Sequence, residues 1–210
     1  MSKQLLQEYF ELCPEGRCPM HVLTEAEKKN VMDGAVYLVG ICQKAGTKNG
    51  NGRVYRRETL KREVENYQKA ISDRRALGEL DHPDDSVVNL KNCSHLATKM
   101  WWEGENVMAK FEVLNTPAGQ ILKELVKSGC QLGISSRGLG SIKEEKGITM
   151  VEDDFQLICF DMVSEPSTPG AYLAPTVSHT AVNMDPAINV YLNESKGDKI
   201  DQLLESILRD

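Results

Sequence analysis

The sequence predicts an α+β fold built on an antiparallel sheet or a small barrel. Many short apolar segments have the length of strands, whereas only two segments in the centre of the chain show clear helical spacing. Two of the strand-like segments, residues 96–102 and 106–114, flank the short loop Glu103-Gly104-Glu105, which is typical of a β-hairpin. Because few helices lie between successive strands, antiparallel pairing is favoured over parallel crossovers.

The remaining elements follow from periodicity and from turn residues. Further strands are predicted over residues 35–43, 76–80, 131–144, 147–152 and 155–164, and helices over residues 3–12, 58–71, 116–129 and 200–208. Thr116-Pro117 is a start signal for the third of these helices, and Gly129 is its stop signal. The run from Lys48 to Gly52 predicts a turn between the first strand and the second helix.

Composition limits the classes of function. The chain has 210 residues, of which 40% are hydrophobic, enough for one sizeable domain with tails. A net charge of −6 without a long basic stripe argues against a nucleic-acid-binding module. The longest apolar run, residues 35–42, is too short to cross a membrane, and Glu8 and Glu11 interrupt the region where a secretion signal would lie. We therefore expect a cytoplasmic protein with reduced thiols. Cys13 and Cys18 are too loosely spaced for a convincing zinc site, and no metal or cofactor is expected.

The segment from Gly133 to Gly140, with the sequence GISSRGLG, carries the clearest chemical signal. Two serines lie between glycines and beside an arginine, and glycine lets a substrate carbonyl approach the backbone closely. Clusters of this composition are usually turns, so the segment becomes informative only together with a base and a carboxylate.

His82 and Asp161 are the candidates for those two groups. Among the four histidines, His82 lies at a strand end between Asp81 and Pro83, where proline restricts the loop. The alternative is a surface histidine in an acidic turn. Asp161 interrupts an apolar strand, where a carboxylate is unfavourable unless it is paired. It either faces solvent by simple alternation or pairs with the Nδ1–H of His82.

Five motifs occur in an order that resembles a known family: NGRVY at residues 51–55, GELDHP at 78–83, MWW at 100–102, GISSRGLG at 133–140 and DMVSEPS at 161–167. Together they resemble the prohead core proteases of T-even-type tailed phages, over residues 33–175. The resemblance implies a serine endopeptidase of capsid maturation. It also implies a fold related to the herpesvirus assemblin proteases, a mostly antiparallel β-barrel with surrounding helices.

The resemblance also implies roles for individual residues. His82 is expected to be the base, Asp161 the third member of the triad, and Ser135 the nucleophile. Ser136 stays open as an alternative nucleophile, because a Ser-x-Gly pattern in other prohead proteases aligns with it. The backbone N–H groups of Arg137 and Gly138 are the candidate oxyanion donors.

Cleavage after glutamate, with leucine or isoleucine two residues earlier, is the substrate preference that the resemblance implies. The chain carries this pattern at Glu25, Glu194 and Glu205, so we expect it to trim its own ends, with an N-terminal segment 1–32, a protease domain 33–180 and a tail 181–210 bearing a short helix. Glu79 fits the pattern too, but the fold is expected to protect it. The candidate cations for binding the substrate glutamate are Arg53, Arg56, Arg57 and Arg137.

The implied partners are phage scaffold and shell proteins, within the prohead in the host cytoplasm, with no nucleic acid and no membrane. We expect a homo-oligomer. The competing hypothesis is a catalytically idle structural or ring-forming capsid-assembly protein of the same fold. The presence of His82, Ser135 and Asp161 together argues against it, because an idle copy would be free to lose them.

Overall fold

Three helices and eleven strands make up the part of the chain that the computed structural model describes, residues 4–10, 22–83, 85–130, 132–145, 147–164 and 175–176. The helices are α1 (Glu25–Met32), α2 (Arg57–Ser72) and α3 (Pro117–Lys127), and a short 3₁₀ helix spans Leu90–Asn92. The strands are β1 (Gln4–Phe10), β2 (Tyr37–Lys44), β3 (Arg53–Val54), β4 (Leu77–Glu79), β5 (Cys93–Glu103), β6 (Asn106–Val113), β7 (Gly133–Gly140), β8 (Ile142–Glu145), β9 (Ile148–Val151), β10 (Gln156–Val163) and β11 (Pro175–Thr176).

The strands form three sheets with the orders β11-β2-β6-β5-β4, β1-β7-β10 and β3-β9-β8. All neighbours are antiparallel except β3 and β9. The predicted β5–β6 hairpin is present, and Gly104 at its tip has φ 60°, a left-handed conformation that glycine adopts without strain.

The main core lies where α2 and α3 pack on the large sheet and on β10. Helix α2 presents Leu60, Val64 and Tyr67 to the interior, as its spacing predicts. Helix α3 begins with the Oγ1 of Thr116 accepting the N–H of Gly119, and it contributes the fully buried Leu122. These contacts fix the two helices against the sheet whose edge strand β4 leads into His82.

The α+β class is confirmed, but the expected closed barrel is wrong for the described strands. Besides packing contacts, the edge of β4 is linked to β10 only by an isolated bridge between Leu80, the residue after β4, and Met162, instead of a continuous ladder. The ladder between β4 and β5 also shifts register between Gly78 and Glu79. A barrel needs hydrogen-bonded closure around all its strands, and without a β4–β10 ladder the described strands stay in separate sheets.

The N-terminal segment differs from its predicted structure. Residues 4–10 form a strand that pairs antiparallel with β7, with Tyr9 opposite Ser135, and not a helix. The apolar spacing of a segment this short fits more than one period, and the strand partner lies more than 100 residues away in sequence. The capping box Thr24–Glu27, which starts α1, is a local signal that the sequence prediction missed.

Other differences are small. The strand predicted over 131–144 is divided between β7 and β8 at Ser141, whose N–H and Oγ both bind the carboxylate of Asp154. The helix predicted at residues 200–208 lies outside the described residues. Within the described part of the chain, no helix combines the length and apolar character required to cross a membrane.

Candidate active site

Strand pairing brings Ser135 and Asp161 together. Strand β7 lies between β1 and β10, and its Ser135 is the direct cross-strand partner of Asp161. Side chains alternate between the two faces of a strand, so Arg137 lies on the same face as Ser135, and Cys159 on the same face as Asp161. The sheet register therefore places a hydroxyl, a guanidinium, a thiol and a carboxylate side by side.

His82 reaches this face from the loop after β4. Asp81 adopts a left-handed backbone with φ 69°, its N–H donates to the carbonyl of Met162 at 2.7 Å, and its Oδ1 accepts the N–H of His82 at 2.9 Å. The bridge between Leu80 and Met162 adds a second link to β10. Aspartate tolerates this conformation better than most residues, and it turns the chain sharply enough for His82 to face Ser135.

The three side chains form a continuous Ser–His–carboxylate arrangement. His82 Nε2 lies 2.5 Å from Ser135 Oγ, and His82 Nδ1 lies 2.8 Å from Asp161 Oδ2. The side chains of His82 and Asp161 are 8% and 0% exposed, and Ser135 is fully buried. This geometry allows His82 to accept the serine proton while the carboxylate orients the ring.

Ser136, the alternative nucleophile, has a different partner. It is the next residue of β7, and its Oγ accepts a hydrogen bond from Nε2 of Gln43 at 2.9 Å, where β7 packs on β2. The structure therefore brings Ser135 to His82 and brings Ser136 to Gln43.

Asp161 is held as a carboxylate by several donors. The N–H of Glu79 donates to its Oδ1 at 3.0 Å, and the Arg137 guanidinium contacts its two oxygens at 2.9 and 3.1 Å. Burial alone would favour the neutral acid, but the interaction with His82 and the charge of Arg137 outweigh it and lower the pKa of Asp161. The carboxylate facing His82 is therefore ionised at neutral pH.

Glu79 and the side chain of Arg137 are parts of the site whose contacts sequence reasoning missed. Both are fully buried, and Arg137 Nη2 lies 2.7 Å from Glu79 Oε1. The alternation in Ser135-x-Arg137 and Cys159-x-Asp161 was the available signal, because it places these side chains on facing strand positions. Gly78 is required beside them, since a Cβ there would lie 2.0 Å from the carbonyl oxygen of Phe160.

The two candidate oxyanion donors lie inside the β7 strand. Arg137 is paired with Gln7 and Cys159, and Gly138 with Leu6 and Leu157. Consecutive N–H groups of a strand point toward opposite neighbours, so these two groups do not converge on one oxygen atom in this arrangement.

The candidate cations for a substrate glutamate have different surroundings. The guanidinium of Arg137 is occupied by Glu79 and Asp161 in the interior. Arg57 pairs with Glu105 at 2.7 Å and lies over the ring of Trp102, and Arg56 approaches Glu145 at 3.4 Å. Arg53 lies in β3 and is partly exposed.

His95, in β5, has a structural role. It is 1% exposed, its Nε2 hydrogen-bonds the carbonyl of Phe160, and its Nδ1 hydrogen-bonds Ser94. Burial lowers the pKa of His95 to about 4, so the ring is neutral near neutral pH. His21 and His179 lie outside the described residues.

Acid should destabilise the fold through Asp161. Because the folded-state pKa of Asp161 is lowered from its ordinary value of 3.8, its ionisation stabilises the fold above that value. This contribution is lost as the pH falls from about the ordinary value through the lower, folded-state value. We expect urea midpoints to fall over this range and to fall less steeply for Asp161→Asn. Equal pH slopes for the two proteins would contradict this prediction.

Comparison with known proteins shows the family of this chain. Residues 15–181 match the family described as prohead core protein serine protease. The prohead core protein protease of Enterobacteria phage T4 is 32% identical over 165 residues, covering 75% of this chain and 78% of the relative. The solved structure of the bacteriophage T4 capsid assembly protease, gp21, aligns with TM-score 0.65 and 28% identity, over 78% of this chain and 99% of the other. The family match covers most of the chain, and so this chain belongs to the prohead core protease family.

Proposed function

We propose that this chain is a serine endopeptidase that cleaves scaffold and shell proteins during phage capsid maturation, and that it also trims itself. The observation that carries the proposal is that Ser135 Oγ lies 2.5 Å from His82 Nε2 while Asp161 Oδ2 lies 2.8 Å from His82 Nδ1. A serine hydroxyl is a weak nucleophile at neutral pH, and it needs both a base and a group that orients the base.

The chemistry assigns one task to each side chain. His82 Nε2 takes the proton of Ser135 as Oγ attacks the scissile carbonyl, and Asp161 stabilises the resulting imidazolium without accepting its proton. His82 then gives the proton to the leaving amine, which leaves an acyl group on Ser135. Water activated by His82 hydrolyses that ester and restores the free serine.

Donors for the oxyanion are proposed at the backbone near Ser135. One backbone N–H of Arg137 or Gly138 points toward the β1 side of β7, and separation of β1 would leave it without its strand partner. A second donor would then come from outside β7, because adjacent N–H groups in the strand diverge.

The proposed specificity is cleavage after glutamate with leucine or isoleucine two residues earlier. Glu79 satisfies the pattern but is fully buried in β4, as expected of a bond that the fold protects. Glu25 has an 89% exposed side chain in the first turn of α1. Cleavage there requires that turn to unwind and breaks the link between β1 and the rest of the chain. Glu194 and Glu205 lie outside the described residues.

Self-processing gives a direct prediction. Purified active protein should lose the fragment that ends at Glu25 and a fragment that begins directly after Glu194 or Glu205, while Ser135→Ala should keep the full mass of 210 residues. Glu25→Gln and Glu194→Gln should block their own cuts if the glutamate charge is what the enzyme binds. Intact-mass spectrometry over a long incubation at high concentration measures all of these species.

Glu124→Gln is the matched control for those substitutions. Leu122 and Glu124 have the same spacing, but they lie within α3, where the chain is not extended for cleavage. This variant should process like the wild type. Leu6 and Glu8 also have this spacing, in β1. A single cut after Glu8 in place of Glu25 would reject our N-terminal site, and a mass that stays at full length would reject self-trimming altogether.

The proposed setting is the interior of the prohead in the host cytoplasm. The scaffold and shell proteins are the proposed substrates, and the enzyme is proposed to act as a homo-oligomer without nucleic acid or membrane. Size-exclusion chromatography with light scattering tests the oligomer. Cleavage of a purified scaffold protein by wild type, but not by Ser135→Ala, tests the substrate class.

A further inference from the structure

A buried ion pair, formed by Glu79 and Arg137, lies beside the Asp161 carboxylate of the Ser–His–carboxylate arrangement. Glu79, Arg137 and Asp161 are each fully buried, and Arg137 contacts both carboxylates at distances of 2.7 to 3.1 Å. Buried charges are unfavourable unless they are paired. One carboxylate is enough to neutralise Arg137, so the presence of both Glu79 and Asp161 beside it requires an explanation.

The sum of the charges supplies that explanation. Two carboxylates and one guanidinium carry a net charge of −1 when His82 is neutral, and the cluster becomes neutral when His82 takes the serine proton. Without Glu79, the charge of Arg137 would cancel that of Asp161, and the imidazolium would form beside a neutral pair. Electrostatic stabilisation of a charge that develops during the reaction is strong in a buried site.

The contacts of Glu79 also show a structural role that any test must separate. Its Oε1 accepts a hydrogen bond from the N–H of Asn89 at 2.9 Å, and its Oε2 accepts one from Nδ2 of Asn92 at 3.2 Å. Arg137 Nη1 donates to the carbonyl of Asp85 at 2.7 Å. The pair therefore also fixes parts of the segment after His82, and loss of stability alone would prove nothing about catalysis.

We propose that Arg137 and Glu79 are positioning residues of the reaction. Arg137 holds the Asp161 carboxylate toward His82, and Glu79 cancels the charge of Arg137 so that Asp161 keeps its full effect on the imidazolium. This inference rests on the proposed protease function and adds to it two residues that touch no reacting atom.

Other ionisable groups interact with this cluster but do not supply charge near neutral pH. Tyr67 on α2, Cys93 on β5 and Cys159 on β10 have pKa values that are raised, first of all by burial, which keeps them neutral. His95 on β5 is neutral because burial lowers its pKa to about 4. Asp81 and Asp85 are on the exposed part of the His82 loop, where solvent screens them.

The test compares the pH dependence of full-length wild type and Glu79→Gln, using a Leu-x-Glu peptide and a fluorophosphonate that labels active serines. Loss of one negative charge disfavours the imidazolium. The acidic limb of kcat/KM and of the labelling rate should therefore move to lower pH by about one unit. The same loss should lower kcat about tenfold or more while KM stays within about twofold.

Two further variants separate charge from structure. Glu63→Gln removes another buried carboxylate, one that pairs with Arg62 and accepts the N–H of Leu157, and it should leave the acidic limb in place. The double variant Glu79→Gln/Arg137→Gln restores the net charge of −1. It should return the acidic limb to within about 0.3 units of wild type, while kcat stays low because Asp161 loses the guanidinium that holds it.

Each outcome decides a separate claim. An acidic limb that Glu79→Gln does not move, or one that a folded double variant does not restore, would overturn the inference. If Glu79→Gln does not fold, the double variant carries the test, since removing both members of a buried pair is tolerated better than removing one. Failure of the fluorophosphonate to label wild-type Ser135 would instead reject the proposed function itself.

Discussion

Ser135→Ala is expected to abolish cleavage of a Leu-x-Glu peptide and to leave the fold intact. Its Oγ is the atom 2.5 Å from His82 Nε2, and alanine removes it without adding volume to a fully buried position. Loss of a triad nucleophile lowers turnover by about three orders of magnitude or more. Steady-state cleavage rates measure the loss, and circular dichroism with thermal unfolding verifies the fold.

Ser136→Ala is the matched control because it removes the neighbouring hydroxyl from the same strand. That hydroxyl accepts a hydrogen bond from Gln43, and Ser136 is only 1% exposed, so loss of the hydroxyl should reduce stability by about 1 kcal/mol. Most of the activity should remain. An active Ser135→Ala beside an inactive Ser136→Ala would reverse the assignment of the nucleophile.

His82→Ala is expected to be as inactive as Ser135→Ala, and Asp161→Asn is expected to be strongly impaired with measurable residual turnover. The base is required for proton transfer, whereas the carboxylate orients the ring and stabilises its charged form. Activity of the wild type should fall as the pH drops and His82 becomes protonated. The measurements are kcat and KM for each variant across pH.

The double variant of His82 and Ser135 provides a further test of the triad. A triad acts as a unit, so combining His82→Ala with Ser135→Ala should cost little more than either change alone. A near wild-type rate for His82→Ala, or losses of turnover that multiply in the double variant, would contradict the proposed triad.

The sequence predicted the elements that local chemistry determines. The helix at 58–71 and the β5–β6 hairpin follow from periodicity and turn residues, and both are present. His82 was the candidate base because of its place at a strand end, whereas the glycine-flanked motif offered both Ser135 and Ser136 and only the family resemblance favoured Ser135. The sequence alone left Asp161 either facing solvent or paired with His82, and the structure places its Oδ2 2.8 Å from His82 Nδ1, opposite Ser135 on β7.

The parts that sequence reasoning missed depend on distant partners. Residues 4–10 became a strand because β7 offers a free edge, and a short apolar segment has no period strong enough to predict this. Closure of a barrel depends on pairing between strands far apart in sequence, and between β4 and β10 only an isolated bridge beside β4 is present among the described strands. Arg137 was considered for its backbone and for a substrate glutamate, whereas its partners Glu79 and Asp161 come from two other strands.

The most direct measurement is the site of covalent labelling by a fluorophosphonate. The labelled protein is digested, and tandem mass spectrometry locates the adduct within the peptide that contains residues 133–140. We predict one adduct, on Ser135, which forms faster as the pH rises toward neutrality and is absent from His82→Ala. An adduct on Ser136, or labelling of Ser135 at the same rate in His82→Ala, would contradict it.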